Sequence, residues 1–564
     1  MKIAASSYRR VLYAGAMLLA LAIPSQRQLQ AQSSDGASEE PVIVVTMGSL
    51  NKLMQDVNYV SGLAGQPQAG GLFAMMAGTF TQGIDTTQPI AITVPLVDGM
   101  PQPMALIPTP DVKTVLNRLE AQTGPVDELN DGTLVIAVGV NTIYIKQQGD
   151  WAILAPDRDV LNLAPSDPAS IFGDEADQYD MSVKLKMQQV PAPIRGMITA
   201  QMRQGFEQAM AQQNTPDAES AREVAEASLT QIEQLITDTD EMEFGFNVDQ
   251  SGKTVDFKAR FTAVEGTDLG EVMASQQAIP SNFSSVIRPD AAAFYHSSAA
   301  IGPESVTQAK ASLQTAKDSV AGLLEAQGEL PPDLQDEVIK YLNQILDVGI
   351  ASVSEGKSDI GAMLMAGENN LQFALGTFVA DGNEVARIAK EIGGKVGSIP
   401  GAPRFSFDRS VHNDVTLHLI EIDIPAYEEE AQAVFGETFE IHIGTGEKAV
   451  YLAFGNESEK LLMDFIDTAG SDSSSNRPVG QLQFSLLPLL QFAQSFSSED
   501  ITMAMIDSLS RSSDSGKIML IQESIPNGVE VRFSIGEGLM QAAGAAARQG
   551  QLEAQQDAIQ NGQF

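Results

Sequence analysis

The sequence predicts an α+β fold in which two tandem duplicated modules each pack a mainly antiparallel sheet against amphipathic helices. Two observations predict this fold. Residues 255–261 and 529–535 alternate strictly between apolar and polar side chains, which is typical of strands with one buried and one solvated face. One-sided burial of this kind favours antiparallel sheets. The same order of strands, turns and helices also occurs twice along the 564 residues, which indicates a duplication.

The first module begins with a helix and a strand pair and ends with a hairpin. Apolar residues three and four positions apart predict its helices, and short β-branched runs between turn residues predict its strands. Asp111 is an expected helix start, because its side chain can accept hydrogen bonds from the first helical amides. The predicted elements, in order, are a helix at 50–60, strands at 90–97 and 104–107, a helix at 111–119, strands at 142–145 and 151–155, a helix from Asp157, a strand at 181–187, helices at 194–210 and 224–236, and strands at 242–248 and 254–261.

The second module repeats this plan with different residues. A turn at 381–383 precedes a helix that places Val385, Ile388, Ala389 and Ile392 on one face. The predicted elements, in order, are helices at 306–323 and 334–346, strands at 360–365 and 371–378, a helix at 383–392, and strands at 439–443, 449–454, 481–487, 517–522 and 529–535.

Changes in composition mark the boundaries between these parts. The last residues are rich in Gln and Ala and lack an apolar stripe, so we expect them to be disordered. The predicted organisation is a signal peptide at 1–31, a disordered linker at 32–40, the first α+β module at 41–270, a linker at 271–289, the second α+β module at 290–548 and a disordered tail at 549–564.

The N-terminus has the pattern of a secretory signal. Lys2, Arg9 and Arg10 precede an apolar run at 11–23, which is too short to span a bilayer. Cleavage near Ala31 keeps that run whole, whereas an uncleaved anchor is the alternative. The pattern therefore predicts an exported protein, periplasmic or extracellular.

The charge and cysteine content exclude several function classes. The chain has 73 acidic and 34 basic residues, for a formal net charge of −39, and such a surface repels phosphate backbones. We therefore expect no nucleic-acid partner. No later apolar run approaches the length of about 18 residues that a membrane helix needs, so we expect no integral membrane segment in the mature chain. The absence of Cys excludes disulfides, zinc fingers, iron–sulfur ligation and thiol nucleophiles.

The remaining catalytic and metal-binding motifs are absent or lack a residue that their chemistry requires. No two of the four histidines are four residues apart, and no H-E-x-x-H or G-x-S-x-G sequence occurs. His412 and His418 are six apart and would share one face of a single strand, where we expect exposed side chains. The loop at 247–252 resembles the start of a calcium loop, but the twelfth position holds Lys258 where an acid is required. The sequence therefore predicts no catalytic, cofactor-binding or metal-binding residues.

One methionine-bearing helix is a candidate wall for an apolar ligand. Flexible thioethers can repack around varied shapes, and two arginines on the same helix could hold an acidic headgroup. The same stripe would serve equally well to cover a one-sided sheet, and we favour that packing role. The candidate residues are Met197, Met202, Phe206 and Met210, with Arg195 and Arg203 at the rim.

The strand pair, capped helix and hairpin at 151–156 (WAILAP), together with the signal peptide and a second copy of the plan, resemble large exported bacterial proteins of uncharacterised function. The resemblance implies no catalytic residues. The sequence favours an exported, soluble, non-catalytic binding or structural protein, whose partner is a protein or an apolar small molecule. The alternatives are a carrier that holds an apolar or lipid-like ligand between sheet and helices, and a hydrolase that uses carboxylates.

Overall fold

A computed structural model describes residues 40–97, 99–139, 141–211, 218–327, 332–397, 402–470, 477–496 and 499–560. The predicted signal peptide and all but the last residue of the linker after it lie outside the described residues. The chain forms two compact units. Unit 1 contains the described residues up to Leu50, Thr81–Asp177 and Met181–Ile236. Unit 2 contains Asn51–Phe80, Gln178–Asp180 and the described residues from Thr237 onward.

The fold mixes helices and strands, as the sequence predicts. The helices are α1 (Leu50–Leu63), α2 (Pro67–Phe80), α3 (Val112–Thr123), α4 (Glu175–Gln178), α5 (Ala192–Ala211), α6 (Ala218–Asp238), α7 (Asp268–Ser275), α8 (Pro303–Gln327), α9 (Pro332–Val353), α10 (Gly382–Val396), α11 (Glu429–Phe435), α12 (Ser458–Thr468), α13 (Leu486–Ala493), α14 (Asp500–Ser510) and α15 (Glu537–Gln560).

The strands of the first half are β1 (Ile43–Met47), β2 (Ile90–Val94), β3 (Leu96–Val97), β4 (Met100–Pro101), β5 (Met104–Pro108), β6 (Asp127–Glu128), β7 (Leu134–Val138), β8 (Asn141–Gln148), β9 (Trp151–Ala155), β10 (Met181–Lys186), β11 (Thr239–Asp249) and β12 (Thr254–Ala263). Those of the second half are β13 (Ala293–Ala300), β14 (Lys357–Gly367), β15 (Asn370–Phe378), β16 (Arg404–His412), β17 (Val415–Asp423), β18 (Thr438–Thr445), β19 (Ala449–Gly455), β20 (Gly480–Ser485), β21 (Lys517–Ile525) and β22 (Gly528–Gly536).

Unit 1 is built on an antiparallel sheet with the strand order β6-β7-β8-β9-β5-β2-β1-β10. A separate hairpin pairs β3 with β4. The buried side chains form two apolar clusters, one around Leu106 and Ile153 and one around Leu116 and Ile145. Asp111 caps α3 by accepting a hydrogen bond from the amide of Thr114, which confirms the predicted helix start.

Unit 2 is built on an antiparallel sheet with the order β11-β12-β22-β21-β20-β13-β14-β15-β19-β18-β17-β16. The strands β12 and β22 pair directly, with Lys258 opposite Arg532 at the middle of the pair. The hairpin of β11 and β12 therefore belongs to unit 2, although the sequence predicts it as the end of the first module. The loop at 247–252 is the turn of this hairpin, where the Asp249 carboxylate accepts the amides of Ser251 and Gly252.

The core of unit 2 contains a segment that we predicted to be a linker. Phe283 is fully buried and packs edge-on against Tyr451 and Phe465, with ring centroids 5.6 and 6.1 Å away. Val286 joins the same cluster. The composition of residues 271–289 suggested a linker, but their two fully buried apolar side chains make the segment part of the core.

The predicted disordered tail also differs from the structure. Helix α15 continues through residues 549–560 to Gln560. Gln and Ala are good helix formers, and the first half of α15 is anchored by the buried residues Ala542 and Ala545. The helix therefore extends into solvent from a packed base. Within the described residues, no helix is long and apolar enough to cross a membrane.

Candidate functional site

Unit 2 contains an apolar cavity of about 540 Å³ between its sheet and three of its helices. Strands β14 and β15 form the floor, and α8, α9 and α10 form the walls. The volume lies within the range of about 300–1,000 Å³ that is typical of small-molecule sites. The lining residues are Ile301, Leu313, Ile345, Val348, Gly349, Ser352, Val353, Lys357, Ser358, Asp359, Thr377, Phe378, Val379, Val385, Ile388, Ala389, Ile392 and Val450.

Two helices present similarly spaced faces to this cavity, and both faces are apolar except at Ser352. Helix α9 contributes positions 345, 348, 349 and 352, and α10 contributes positions 385, 388, 389 and 392. Both sets follow the spacing of three, one and three residues that places side chains on one helix face. The Asp381 carboxylate fixes the start of α10 by accepting the amides of Asn383 and Glu384. The sequence predicted the face of α10, and the structure places that face on the cavity.

Lys357 provides a positive charge at the edge of the cavity. Its ammonium group lies 4.1 Å from the centroid of the Phe378 ring, a cation–π distance. Among the described residues, Lys357 has no carboxylate within ion-pair distance. The nearby Lys448, by contrast, forms an ion pair with Glu355 at 2.9 Å. The Lys357 charge interacts over a longer distance with the carboxyl groups of Glu355 and Asp359, but it forms no direct ion pair with a described residue and can accept an anionic group in the cavity.

The cavity floor also carries a buried polar network. Ser281 donates a hydrogen bond to the Asp359 carboxylate at 2.6 Å, and the amide of Asn282 donates to the other carboxylate oxygen at 2.8 Å. The His296 Nε2 atom lies 2.9 Å from the Ser281 hydroxyl. Burial raises the pKa of Asp359 and lowers the pKa of His296 to about 4.

This network contains serine, histidine and aspartate but not in a nucleophilic arrangement. In a catalytic triad the histidine lies between serine and acid and takes the serine proton. Here the serine lies between the other two, and it donates its proton to Asp359. The His296 Nε2–H must then donate to Ser281, which leaves Nδ1 as an acceptor with no partner. The network fixes the 281–283 segment against β14, and it does not activate a nucleophile.

The other histidines are each held by a separate partner. His412 and His418 lie in the successive strands β16 and β17 and not in one strand, and the prediction that both are exposed is wrong for His418, which is 1% exposed. Burial lowers the pKa of both His418 and His442. The closest partners are Asp467 for His412 at 2.6 Å, Thr445 for His418 at 3.0 Å and Ser458 for His442 at 3.0 Å. In the described part of the chain, no group of three or more His, Asp or Glu side chains is placed to hold a metal ion.

A pair of buried carboxylates in unit 2 is the arrangement nearest to the hydrolase alternative. Asp56 and Asp180 are almost fully buried, and both contact the Lys52 ammonium group. The amide of Val248 donates to Asp180 at 2.7 Å, and Gln250 donates to Asp56 at 2.7 Å. Burial raises the pKa of Asp180. Because both carboxylates are buried and occupied by protein donors, they offer no open position for a substrate.

The methionine-bearing helix predicted as a ligand wall is α5 of unit 1. Met197 is 47% exposed, and Met202 and Phe206 are half-buried. The Met210 side chain lies outside the described residues. The Arg203 guanidinium pairs with Glu233 through bonds of 3.0 and 2.5 Å, and Arg195 donates to Gln188 at 2.6 Å. None of the six predicted residues lines the cavity of unit 2.

Comparison with protein-family models, with curated proteins and with solved structures finds no match for this chain. The cavity and its lining residues are therefore the observations on which a functional proposal can rest.

Proposed function

We propose that this chain is an exported, non-catalytic binding protein that holds a ligand with an apolar body and an anionic head in the cavity of unit 2. The observation that carries the proposal is the combination of two largely apolar helix faces with the Lys357 ammonium group, which has no carboxylate within ion-pair distance among the described residues. This is the carrier role that the sequence offers as an alternative, with the ligand between the sheet and the helices of unit 2.

The apolar walls are sufficient to hold a medium-length acyl chain. Burying the ten methylenes and the methyl group of dodecanoate contributes about 9 kcal/mol at about 0.8 kcal/mol each. Lost translational and rotational freedom costs at least about 4 kcal/mol. The net gain is therefore at most about 5 kcal/mol, which corresponds to a dissociation constant of about 0.2 mM or weaker before any contribution from the head group. A carboxylate near Lys357 would improve on that value.

The experiment that tests this proposal is native mass spectrometry of the protein purified from its own host, followed by organic extraction. We expect a mature N-terminus at or near Gln32 and a reproducible acidic lipid-like ligand. A ligand-free mass, together with no binding of added dodecanoate, would contradict the carrier role. An intact Met1 in the membrane fraction would contradict export and cleavage without affecting the cavity.

The charge of Lys357 provides a sharper prediction. We expect Lys357→Met to weaken dodecanoate binding about tenfold and to leave dodecanol binding nearly unchanged, because only the carboxylate interacts with the ammonium group. Displacement of a fluorescent apolar dye measures both constants. The control is Lys460→Met, since Lys460 is the exposed lysine of α12 and lies outside the cavity. Equal losses for the acid and the alcohol would show that Lys357 acts through packing instead of charge.

Helix α2 supports a second role at a lipid surface. Its large apolar residues are between 38% and 65% exposed, and no charged residue occurs between positions 57 and 84. The helix packs on α1 through Gly70, where a side chain would collide with Asn58 and Ser61. The small residue therefore faces the protein, and the large apolar residues face outward. The exposed residues are Leu72, Phe73, Met75, Met76 and Phe80.

A zwitterionic lipid surface is the partner that fits this helix. An uncharged apolar face inserts favourably at the boundary between headgroups and acyl chains. The acidic chain as a whole is repelled by anionic lipids. We expect co-sedimentation with phosphatidylcholine vesicles, abolished in the double variant Met75→Glu and Met76→Glu. The control is Met503→Glu on α14, where the side chain is 41% exposed. Self-association without vesicle binding would instead identify a second copy of the chain as the partner.

We also infer that the chain arose by tandem duplication. The pairing order from β6 to β10 in unit 1 has the same form as the order from β16 to β20 in unit 2. In each half, two helices separate the first strand from the second. An experimental structure in which residues 41–270 and 290–548 fail to superpose strand for strand would contradict the duplication.

A further inference from the structure

Unit 1 contains a second cavity, of about 700 Å³, whose lining differs from that of the apolar cavity. Its floor is the face of the sheet where β10, β1 and β2 lie side by side, and its walls come from residues 162–175. In one row across the floor, Lys184, Val44 and Thr93 are cross-strand neighbours. In the next row, Ser182 is the neighbour of Thr46. The floor is therefore polar at β10 and mixed at β1 and β2.

Three hydroxyl groups on this floor make no side-chain hydrogen bond to the residues that the structure describes. They belong to Thr46, Thr93 and Ser182, which are only 3%, 1% and 3% exposed. Of the three, the Thr93 hydroxyl oxygen is itself buried and has no partner among those residues. Neither Thr46 nor Ser182 makes a side-chain hydrogen bond to a described residue. Buried hydroxyls in proteins almost always have a partner, so the Thr93 hydroxyl, with those of Thr46 and Ser182 beside it at the base of a cavity, indicates that a ligand supplies one.

The charges around the floor are balanced. The Lys184 ammonium contacts the Glu175 carboxylate, and both side chains are about one-fifth exposed. Lys186 and Glu40 form a second pair at 3.1 Å. A ligand anion that bound Lys184 would compete with Glu175, and a ligand cation that bound Glu175 would compete with Lys184. A ligand that carries both charges can instead pair with Lys184 and with Glu175 at the same time.

We propose that this cavity binds a small zwitterion with an apolar side chain, the chemistry of an α-amino acid. The ligand carboxylate lies between the Lys184 ammonium and the floor hydroxyls, and the ligand ammonium pairs with Glu175. The apolar side chain contacts Met104, Leu163 and Ile171, which line the same cavity. This site is in a different unit from the proposed acyl cavity and does not depend on it.

L-leucine is the probe that tests the proposal, measured by calorimetric titration of the full chain. Its two single-charge relatives are 4-methylpentanoate, which lacks the ammonium group, and 3-methylbutylamine, which lacks the carboxylate. We expect L-leucine to bind at least tenfold more tightly than either relative. No binding of L-leucine at millimolar concentration, or equal binding of all three compounds, would overturn the proposal.

Variants separate a ligand site from a structural feature. Thr93→Val keeps the shape and removes the unpartnered hydroxyl, so we expect the ligand-free protein to be as stable or more stable and L-leucine binding to fall about tenfold. Lys184→Gln should weaken binding further. The matched control is Lys113→Gln, because Lys113 also pairs with a glutamate in unit 1, at 2.8 Å, but lies outside the cavity. Unchanged binding in Thr93→Val would show that the floor hydroxyls do not contact the ligand and would overturn the proposal.

Discussion

Replacing Ala389 by phenylalanine is expected to weaken dodecanoate binding by about 100-fold while unit 2 remains folded. Ala389 lies on the cavity face of α10, midway along the wall that it shares with α9. A phenyl ring at this position occupies space that about four ligand methylenes would otherwise fill. At about 0.8 kcal/mol per methylene, the loss is about 3 kcal/mol, which corresponds to about two orders of magnitude in the dissociation constant. The binding constant is measured by dye displacement.

The control for this variant is Gly394→Phe on the same helix. A side chain at Gly394 meets open space and the residue is exposed, so the added ring does not reach the cavity. Circular dichroism and the melting temperature should be similar for the two variants, since the cavity accommodates the ring of Ala389→Phe without overpacking. If dodecanoate binds Ala389→Phe as it binds the wild type, the acyl chain does not occupy this cavity.

The sequence was sufficient to predict one helix face that lines this cavity, but it was not sufficient to predict the cavity. The spacing of Val385, Ile388, Ala389 and Ile392 predicted a helix with one apolar face, and α10 has that face. An apolar face in a sequence has the same pattern whether it is filled by a neighbouring side chain or by a ligand. The difference depends on the distance between α10 and α9, which is set by tertiary packing. For that reason the methionine residues predicted a ligand wall on α5, which does not line this cavity.

The buried polar network of unit 2 and the hydroxyl groups of the unit 1 cavity could not be predicted, for a related reason. His296 and Asp359 are 63 residues apart, and Ser281 joins them from a segment that looked like a linker. The hydroxyls of Thr46, Thr93 and Ser182 come together only because β1 pairs with both β10 and β2. Local periodicity carries no information about such pairings. The alternation of residues 255–261 and 529–535, in contrast, was visible in the sequence, and these residues lie in the strands β12 and β22. The predicted one-sided burial is wrong, however, because Phe257 on the apolar face is 45% exposed whereas Lys258 on the polar face is 25% exposed.

The buried network at His296 makes the stability of unit 2 dependent on pH. Burial is the main cause that lowers the pKa of His296 to about 4, from an ordinary value near 6.5, and the charge of Arg477 lowers it further. The folded state therefore binds the proton more weakly than the unfolded state. The stability that the neutral imidazole contributes is fully present above about pH 6.5, and it is lost as the pH falls towards 4.

Between pH 7 and pH 4, we expect this one imidazole to remove about 3 kcal/mol from the free energy of unfolding, because each unit of pKa difference is worth about 1.4 kcal/mol. Guanidinium unfolding followed by circular dichroism should show that decline in the wild type and a decline smaller by about 3 kcal/mol in His296→Gln. Contributions from His418 and His442, whose pKa values burial also lowers, are common to both proteins and cancel in the difference.

Three further measurements make this prediction specific to His296. The variant His412→Gln controls for loss of a less buried imidazole, since His412 is 30% exposed and pairs with Asp467 at the surface. The fluorescence of Trp151, the only tryptophan, follows unit 1 separately. The ring signal of His296 in a nuclear magnetic resonance titration should stay constant from pH 8 to about pH 5. A His296 signal that titrates near pH 6.5 in the folded protein would show that the imidazole is not held neutral by burial, and the expected loss of stability would then be absent.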